Sequence, residues 1–394
     1  MTFDLKNIRA ETPGVQSVNH LLACGSALMP QPVLDAMVDH LTLEARIGGY
    51  EAHAHRHVQL DLVYDQVAGL IGAKRNEIAL VENATVGWCQ AFYALPMKAG
   101  DRILTCEAEY AANYVAFLQR ARRDGVEIVV VPSNENGALD VLALENLIDE
   151  RTVLIAMTWV PTNGGLVNPA AQVGKIANRA GVPFLLDACQ AVGQMPVNVG
   201  ELGCDFLSAT GRKFLRGPRG TGFLYVRESL IETLEPVVID HFAAPWVSSD
   251  KYELRPDARR FENWENAYAL RAGLGAAIAY AQKVGVENIQ AASWGLAARL
   301  RQQLSELDGA QVLDIGDEQC AIVSFSLAGV DPDTVVAALK AKGICIGTST
   351  RDSTLLDSQR RTLPTILRAA PHYYNTEQEL DDLVEGLAEM VRTS

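Results

Sequence analysis

The chain has 394 residues, is 48% hydrophobic and 21% charged, and carries a net charge of −14. That composition is ordinary for a globular protein, and the length favours two or more domains. The acidity argues against nucleic acid or an anionic membrane as a partner. No stretch is long and apolar enough to span a bilayer, and Met1-Thr-Phe-Asp-Leu-Lys lacks the basic-then-apolar order of a secretory signal. The seven cysteines are scattered and form no Cys-x-x-Cys pair. Reduced, mostly buried thiols and a cytoplasmic location are therefore expected.

Residues 1–18 are expected to form an irregular arm. Val18–Gly25 reads as a short strand ending in small residues, and Pro30 and Pro32 suit the start of a helix over about 31–46. Gly48 to His57 reads as a polar loop or helix start, followed by an amphipathic helix over 57–72. His53, His55 and His57 share one side only if the segment is extended, and no carboxylate or thiol cluster completes a site, so no metal is expected. Ile78–Trp88 reads as strand, turn and helix start. Thr85 falls where free backbone N–H groups and the positive end of the helix dipole suit a phosphate. A plain N-cap is the compatible alternative.

Arg102–Asn113 is a strand ending in polar residues before a helix and contains the pair Glu109-Tyr110. Ile128–Pro132 is a buried strand, and 139–149 is a short helix. Thr152–Val160 is a strand ending in Pro161-Thr-Asn-Gly-Gly165, with a helix over 170–180. Strand and helix alternate with short joins, and the strands are continuous apolar runs. That pattern belongs to a parallel sheet buried on both faces, with ligands at the strand ends.

The chemistry concentrates in two segments. Phe184-Leu-Leu-Asp-Ala-Cys-Gln190 delivers a carboxylate and an amide at the end of an apolar run. Thr210-Gly-Arg-Lys-Phe214 puts a lysine in a turn before the hairpin Gly217-Pro-Arg-Gly-Thr-Gly222. A lysine, a buried aspartate and a glutamine at neighbouring strand ends suit a pyridine aldehyde. The lysine forms the covalent link, the aspartate keeps the ring nitrogen protonated, and the glutamine bonds the ring hydroxyl. Taken singly, each residue also reads as an exposed turn lysine or a helix-capping aspartate. The ordered set favours the site.

The order Asp-x-x-Gln, small-polar-x-Lys, Gly-Pro-x-Gly-x-Gly resembles the class V aminotransferases. These are pyridoxal-phosphate enzymes whose branches include cysteine desulfurases and isopenicillin N epimerases. The resemblance covers nearly the whole chain. It implies an α/β fold of the aspartate aminotransferase-like type I, with a large domain around a mostly parallel sheet and a smaller α+β C-terminal domain. The implied division is an arm over 1–18 packed with the small domain, a large cofactor domain over 19–266, and a linking helix with the small domain over 267–394.

The resemblance also implies roles. Lys213 and Asp187 are catalytic, and Thr85, Asn163, Gln190, Thr210 and Arg212 hold pyridoxal 5'-phosphate. Tyr110 stands where desulfurases carry a histidine that stacks on the ring, and Arg212 stands where the family commonly has a second histidine. Arg368, ahead of Tyr374-Asn-Thr376, grips the substrate α-carboxylate. Asn163 and Ser26, with Gly25 and Ala27, line the substrate pocket. Arg351 contacts the substrate side chain, or is a solvated loop charge. A homodimer with shared active sites is implied. Asn263 or Asn266 would reach the partner's phosphate, because Trp264-Glu265 replaces the family's usual Gly-Thr.

The implied reaction is removal of the α-proton of an amino acid by Lys213. Transamination is the leading expectation, a carbon–sulfur lyase the second, an epimerase the third. A Rossmann oxidoreductase is disfavoured because no Gly-x-Gly-x-x-Gly joins an early strand to a helix. A pseudoenzyme is disfavoured because Lys213, Asp187 and Arg368 are all present. A cysteine desulfurase is set aside. Its sulfur-accepting cysteine would lie near Asp352 or Ser353, and Thr348–Arg361 contains none. Cys345 alternates with Ile344 and Ile346 in an expected strand.

Overall fold

A computed structural model of the chain describes residues 3–393. Seven strands form the main sheet: β1 (Ile78–Val81), β2 (Arg102–Cys106), β3 (Glu127–Val131), β4 (Thr152–Thr158), β5 (Phe184–Asp187), β6 (Phe206–Thr210) and β7 (Gly222–Val226). Their order across the sheet is β1-β7-β6-β5-β4-β2-β3. All run parallel except β7, which is antiparallel to both of its neighbours. The central strands are buried on both faces, which is why they read as unbroken apolar runs. Phe184, Leu185 and Leu186 are fully buried. Each contributes roughly 1.5–3 kcal/mol of burial, and together they hold Asp187 at the strand's carboxyl end.

A second, antiparallel sheet is built from β8 (Ala310–Val312), β9 (Val323–Leu327), β10 (Gly347–Ser349) and β11 (Ile366–Ala369), in the order β8-β9-β11-β10. The helix Tyr268–Val284 leads from the large sheet toward it, followed by Val286–Ser305. The final helix, Glu377–Thr393, packs on this second sheet's side of the molecule against Val286–Ser305 and Pro332–Ala341. The fold is the α/β type I architecture.

Some local expectations are corrected. The N-terminal arm is not irregular: Leu5–Ala10 is a helix capped by the Asp4 side chain. Arg9 ties this helix to the Tyr374 carbonyl at 2.8 Å and to Glu379 at 2.9 Å. Of the two readings of 48–57, the helix start is the one observed: the segment opens one long helix, Gly49–Ile71, which begins earlier than the expected 57 and is set off from Gln31–Ile47 only by Gly48 at φ 97°. At about 100° per helical residue, His53 and His57 share one face of this helix and His55 lies on the opposite one. No group of three metal-ligating side chains occurs among the described residues.

The N-cap of the helix Ala84–Ala94 is Asn83, whose side chain accepts from the Val86 N–H at 3.0 Å, so Thr85 sits inside the first turn. The polar interval after β10 is folded as a 3-10 turn over Arg351–Thr354 and a helix over Leu355–Arg360. Residues 246–252 form a small exposed hairpin.

Candidate active site

The carboxyl ends of β2, β4, β5 and β6 converge on one polar patch. Asp187 ends β5 opposite Thr158 of β4 and Ser208 of β6. It is 5% exposed. One oxygen accepts from Asn113 Nδ2 at 3.0 Å and the other from the Cys189 N–H at 2.9 Å. Asn113 spends its second amide hydrogen on Glu109, at 2.8 Å.

Glu109 is itself buried and accepts from the Thr105 hydroxyl at 2.9 Å, the Thr158 N–H at 3.1 Å, the Tyr110 N–H at 2.9 Å and the Thr158 hydroxyl. Burial pushes the Glu109 pKa up, its hydrogen bonds oppose this, and Asp187 nearby adds to the rise. Asp187 is thus held from behind by a chain of groups whose hydrogen-bonding needs are met within the protein.

Lys213 follows β6 in the turn Gly211–Arg216. It is 9% exposed, and its ε-nitrogen makes no hydrogen bond or ion pair among the described residues. Burial pushes its pKa below the ordinary 10.5, and Arg212 adds to that, while Cys189, Asp187 and Cys24 oppose it. A larger share of neutral amine at a given pH is what a nucleophile and base requires. The turn is anchored by His372, whose Nε2 donates to the Phe214 carbonyl at 2.7 Å while its Nδ1 accepts from Ser293 at 3.0 Å. A carbonyl only accepts, so Nε2 carries the proton. Burial, with Arg216 nearby, holds this imidazole well below its usual range and hence neutral.

On the other side lie groups with partners missing. Gln190 Nε2 donates to the Cys24 carbonyl at 3.2 Å and to Thr162 Oγ1 at 3.3 Å, and its buried Oε1 has no partner. Arg368, on β11, donates through Nη1 to the Thr162 carbonyl at 2.6 Å and hydroxyl at 2.7 Å, while its Nε is unpartnered. Ser208 Oγ is buried and unpartnered as well. Buried polar atoms are rarely left this way without a ligand to meet them. Tyr110 is half-buried beside this patch, and burial, then Asp187 and Cys189, raise its pKa, so it keeps its proton.

At the far end of the patch, Gly222 pairs with Thr210 across β6 and β7. A Cβ on Gly222 would come within 3.0 Å of the Asn83 carbonyl carbon and 3.1 Å of the Ala84 nitrogen. Only glycine lets the start of the helix Ala84–Ala94 approach β7 this closely. That approach brings Thr85, which is exposed, to the same end of the site as Thr210. A helix N-terminus beside two hydroxyls is suited to a phosphate.

The family model of the class V aminotransferases matches residues 20–383. The chain belongs to the class V aminotransferase family. Members are pyridoxal-phosphate enzymes, and the unmet Lys213, Gln190 and Ser208 atoms, with Asp187 and the glycine-gated helix start, fit pyridoxal 5'-phosphate. A probable cysteine desulfurase of Methanothermobacter thermautotrophicus is 29% identical over 98% of both chains. A cysteine desulfurase of Yersinia pestis is 32% identical, again over 98% of both. Among solved structures, the apo cysteine desulfurase of Thermococcus onnurineus superposes with a TM-score of 0.93 at 27% identity, covering 100% of this chain and 99% of that one.

Within this class V site, most of the residues read from sequence gather, and some do not. Lys213, Asp187, Gln190, Arg368, Tyr110 and Arg212 surround one patch. Asn163 turns away: its amide donates to buried Asp357 at 2.8 Å, and Asp357 also pairs with Arg361 at 3.2 Å. Its neighbour Thr162 is the residue that touches both Gln190 and Arg368. The Thr210 hydroxyl donates to the Thr221 carbonyl at 3.2 Å. Arg212 donates to the Gly25 carbonyl, and the Ala27 N–H donates to the Arg212 carbonyl at 3.0 Å, which brings the Gly25–Ala27 turn with Ser26 onto the site.

Arg351 is exposed and has no hydrogen bond or ion pair among the described residues. Asn263 and Asn266 line a cleft of about 310 Å³ with Val86, Gly220 and Gly222, so it shares Gly222 with the phosphate end of the site. Sequence reasoning missed Glu109, Asn113 and Thr162. All three lie one to four residues from residues that were singled out, and polarity at a strand end was the available signal.

Proposed function

We propose that the protein is a pyridoxal-phosphate-dependent carbon–sulfur lyase that eliminates a sulfur substituent from Cβ of an α-amino acid. The observation that carries this is a site for α-proton removal beside a segment, 348–361, that offers no thiol. The relatives named cysteine desulfurases act where a carbon–sulfur bond breaks, which supports a substrate with sulfur at Cβ and favours elimination over the transamination expected first. The nearest thiol in sequence, Cys345, is fixed in the pairing of Ile344–Cys345 with Asn19–His20, and its carbonyl accepts from the Leu21 N–H at 2.9 Å. Burial raises its pKa, which disfavours the thiolate a persulfide carrier needs.

The Leu355–Arg360 helix is pinned rather than free. Asp357 donates its N–H to the Glu107 carbonyl at 3.2 Å, and Arg360 pairs with the Glu107 carboxylate at 2.8 Å.

When bound, the cofactor supplies an electron sink for the carbanion. Lys213 takes the α-proton. Asp187, kept in place by Asn113 and Glu109, would hold the ring nitrogen protonated, and Gln190 with Thr162 would bond the ring hydroxyl. Arg368 would hold the α-carboxylate, Tyr110, which keeps its own proton, would pack against the cofactor, and Thr85 and Thr210 would hold its phosphate. The net reaction takes up one water: the sulfur leaves as a thiol, and the carbon skeleton leaves as pyruvate and ammonium.

We further propose a homodimer, in which Leu34, Val38 and Leu41 on one helix and Val58 and Leu62 on the next meet a second copy. All are exposed in the single chain, and their spacing sets each group on one helix face. The test of the lyase reading is S-methyl-L-cysteine with holoenzyme and no added keto acid. Pyruvate and ammonia released in equal amounts support it. Turnover that requires glyoxylate or pyruvate as amino acceptor would return the reading to transamination.

A further inference from the structure

His372 holds the Lys213 turn at Phe214, but the turn closes at Arg216. The Arg216 N–H donates to the Lys213 carbonyl at 2.9 Å, and the Gly217 N–H donates to the Gly211 carbonyl at 2.7 Å. Arg216 makes this closure in the left-handed backbone region, at φ 61°. Thr362 is the only other non-glycine residue with positive φ among the described residues. Glycine takes that conformation freely, and a long side chain takes it under strain.

The side chain adds a second cost. Arg216 is the most deeply buried arginine among the described residues, at 1% exposed, and forms no ion pair with any of them. Arg260 also lacks a carboxylate, but its donors reach the carbonyls of Arg255, Ile231 and Leu234. Arg216 donates from Nε to the Leu28 carbonyl at 2.7 Å and from Nη2 to the Thr12 hydroxyl at 2.6 Å. The guanidinium is otherwise enclosed by three tyrosine rings. Its carbon lies 4.7 Å from the Tyr374 ring centroid, 4.9 Å from that of Tyr373 and 5.7 Å from that of Tyr280. Ring faces offset part of a cation's desolvation, yet an apolar side chain of similar size would avoid it altogether. Strain and a buried charge coincide three positions after the site's lysine, which points to function rather than stability.

Arg216 joins parts of the site that no other side chain joins to the turn. Leu28 closes the substrate wall at 25–28, which the Ala27 N–H already stitches to the Arg212 carbonyl. The Leu28 N–H donates to the Tyr374 hydroxyl at 3.3 Å, and Tyr373 and Tyr374 continue the chain beyond Arg368. Thr12 belongs to the N-terminal arm, where its hydroxyl donates to the Ile8 carbonyl at 2.7 Å. One guanidinium thus fixes the lysine turn against the substrate wall, the carboxylate-binding chain and the arm. The cation that bears on the Lys213 amine is Arg212, so Arg216 acts through backbone position and not through its field.

We propose that Arg216 is a positioning residue for Lys213. Locked among Tyr280, Tyr373 and Tyr374 and tied to Leu28 and Thr12, it enforces the left-handed closure that presents the lysine amine to cofactor and substrate. The proposal rests on Lys213 as the cofactor-linking base, and not on the choice between elimination and transamination.

The test uses the full chain at a temperature where every variant is folded by circular dichroism. Two quantities are read: the rate at which apoenzyme gains the absorbance of lysine-linked pyridoxal phosphate, and kcat and KM of holoenzyme with S-methyl-L-cysteine. Arg216→Met should slow cofactor capture by at least about tenfold and lower kcat by on the order of a hundredfold, the scale of an ångström-sized misplacement, with little change in KM. Arg216→Lys, which keeps the cation among the rings, should recover part of both. Leu144→Ala, a core truncation in the helix Val141–Leu147, should lower the melting temperature and leave both quantities unchanged. Wild-type capture and kcat in Arg216→Met, or equal losses in Leu144→Ala, overturn the proposal. Should Arg216→Met fail to fold, Thr12→Val decides: it removes a partner of Arg216 outside the turn and should slow capture by about threefold or more, and wild-type capture there overturns the proposal. Slowed capture in these variants, when the wild type leaves S-methyl-L-cysteine untouched, would sink the lyase reading and leave this one standing.

Discussion

The two sides of Asp187 are built to opposite rules. Behind it, Glu109, Asn113, Thr105 and Thr158 satisfy one another, with every donor matched to an acceptor between 2.8 and 3.1 Å where distances are given. In front, among the described residues, the Lys213 ε-nitrogen has no partner, Gln190 Oε1 and Arg368 Nε are unmet, and the Arg212 guanidinium holds only a carbonyl. The rear is a finished piece of core that fixes a carboxylate. The front is unfinished as protein and becomes complete only with cofactor and substrate. The contrast shows how one fold combines a rigid charge with an open binding face.

Breaking the front should abolish chemistry without touching the fold. Lys213→Ala should remove the visible absorbance of lysine-linked cofactor and lower kcat by at least about a thousandfold, with an unchanged melting temperature. A mutant that retains that absorbance would show that the wrong lysine has been identified. Wild-type apoenzyme should take up pyridoxal phosphate with a rate that rises with pH to a midpoint below 10.5, because burial lowers the Lys213 pKa. A midpoint at or above that value would contradict the desolvated setting.

Asp187→Asn lies where the two sides meet and should cost on the order of a thousandfold in kcat, with cofactor still bound. Near wild-type turnover would assign the pyridinium to another group.

Glu109→Gln strikes the rear and should act through stability. It turns one acceptor oxygen into a donor facing groups that already donate, at a cost of about 1–3 kcal/mol. The pH dependence has a definite sign. A folded pKa raised above 4.5 means the folded state holds its proton more tightly, so this contribution is present below the unfolded value and is lost as pH rises through the folded one. Denaturant titrations of wild type and Glu109→Gln across that range should differ in slope, and parallel curves would contradict the account.

The smallest effect separates neighbours. Thr162→Val should raise KM by about tenfold with little change in kcat, because it frees Arg368 and Gln190. Asn163→Ala should instead lower the melting temperature by removing one of the partners of buried Asp357. The reverse pattern would restore Asn163 to the substrate wall.

Much of this was legible in the sequence, for identifiable reasons. Asp187, Gln190, Lys213 and Arg368 follow apolar runs, so the end of a strand announced each one. The parallel sheet was readable because its strands are buried on both faces. Thr162 was not readable, because Thr162 and Asn163 are adjacent and polar and only the path of the turn decides which points inward. Glu109 was noticed only as the neighbour of Tyr110, since burial of a carboxylate depends on partners from β4 and the next helix. The start of the helix at Gly49 was hidden by two glycines and three histidines, where packing overrides local propensity. The short helix at 355–360 rests on Asp357 contacts with Asn163 and Glu107, which are distant in sequence.

The central claim is that this site eliminates sulfur from its substrate and does not store it. Holoenzyme incubated with L-cysteine tests that directly, with intact-protein mass spectrometry for a persulfide and assays for pyruvate and alanine. The account predicts pyruvate, ammonia and sulfide, with no added sulfur on the protein. Alanine formed alongside a protein persulfide, both lost in Cys345→Ala, would contradict it.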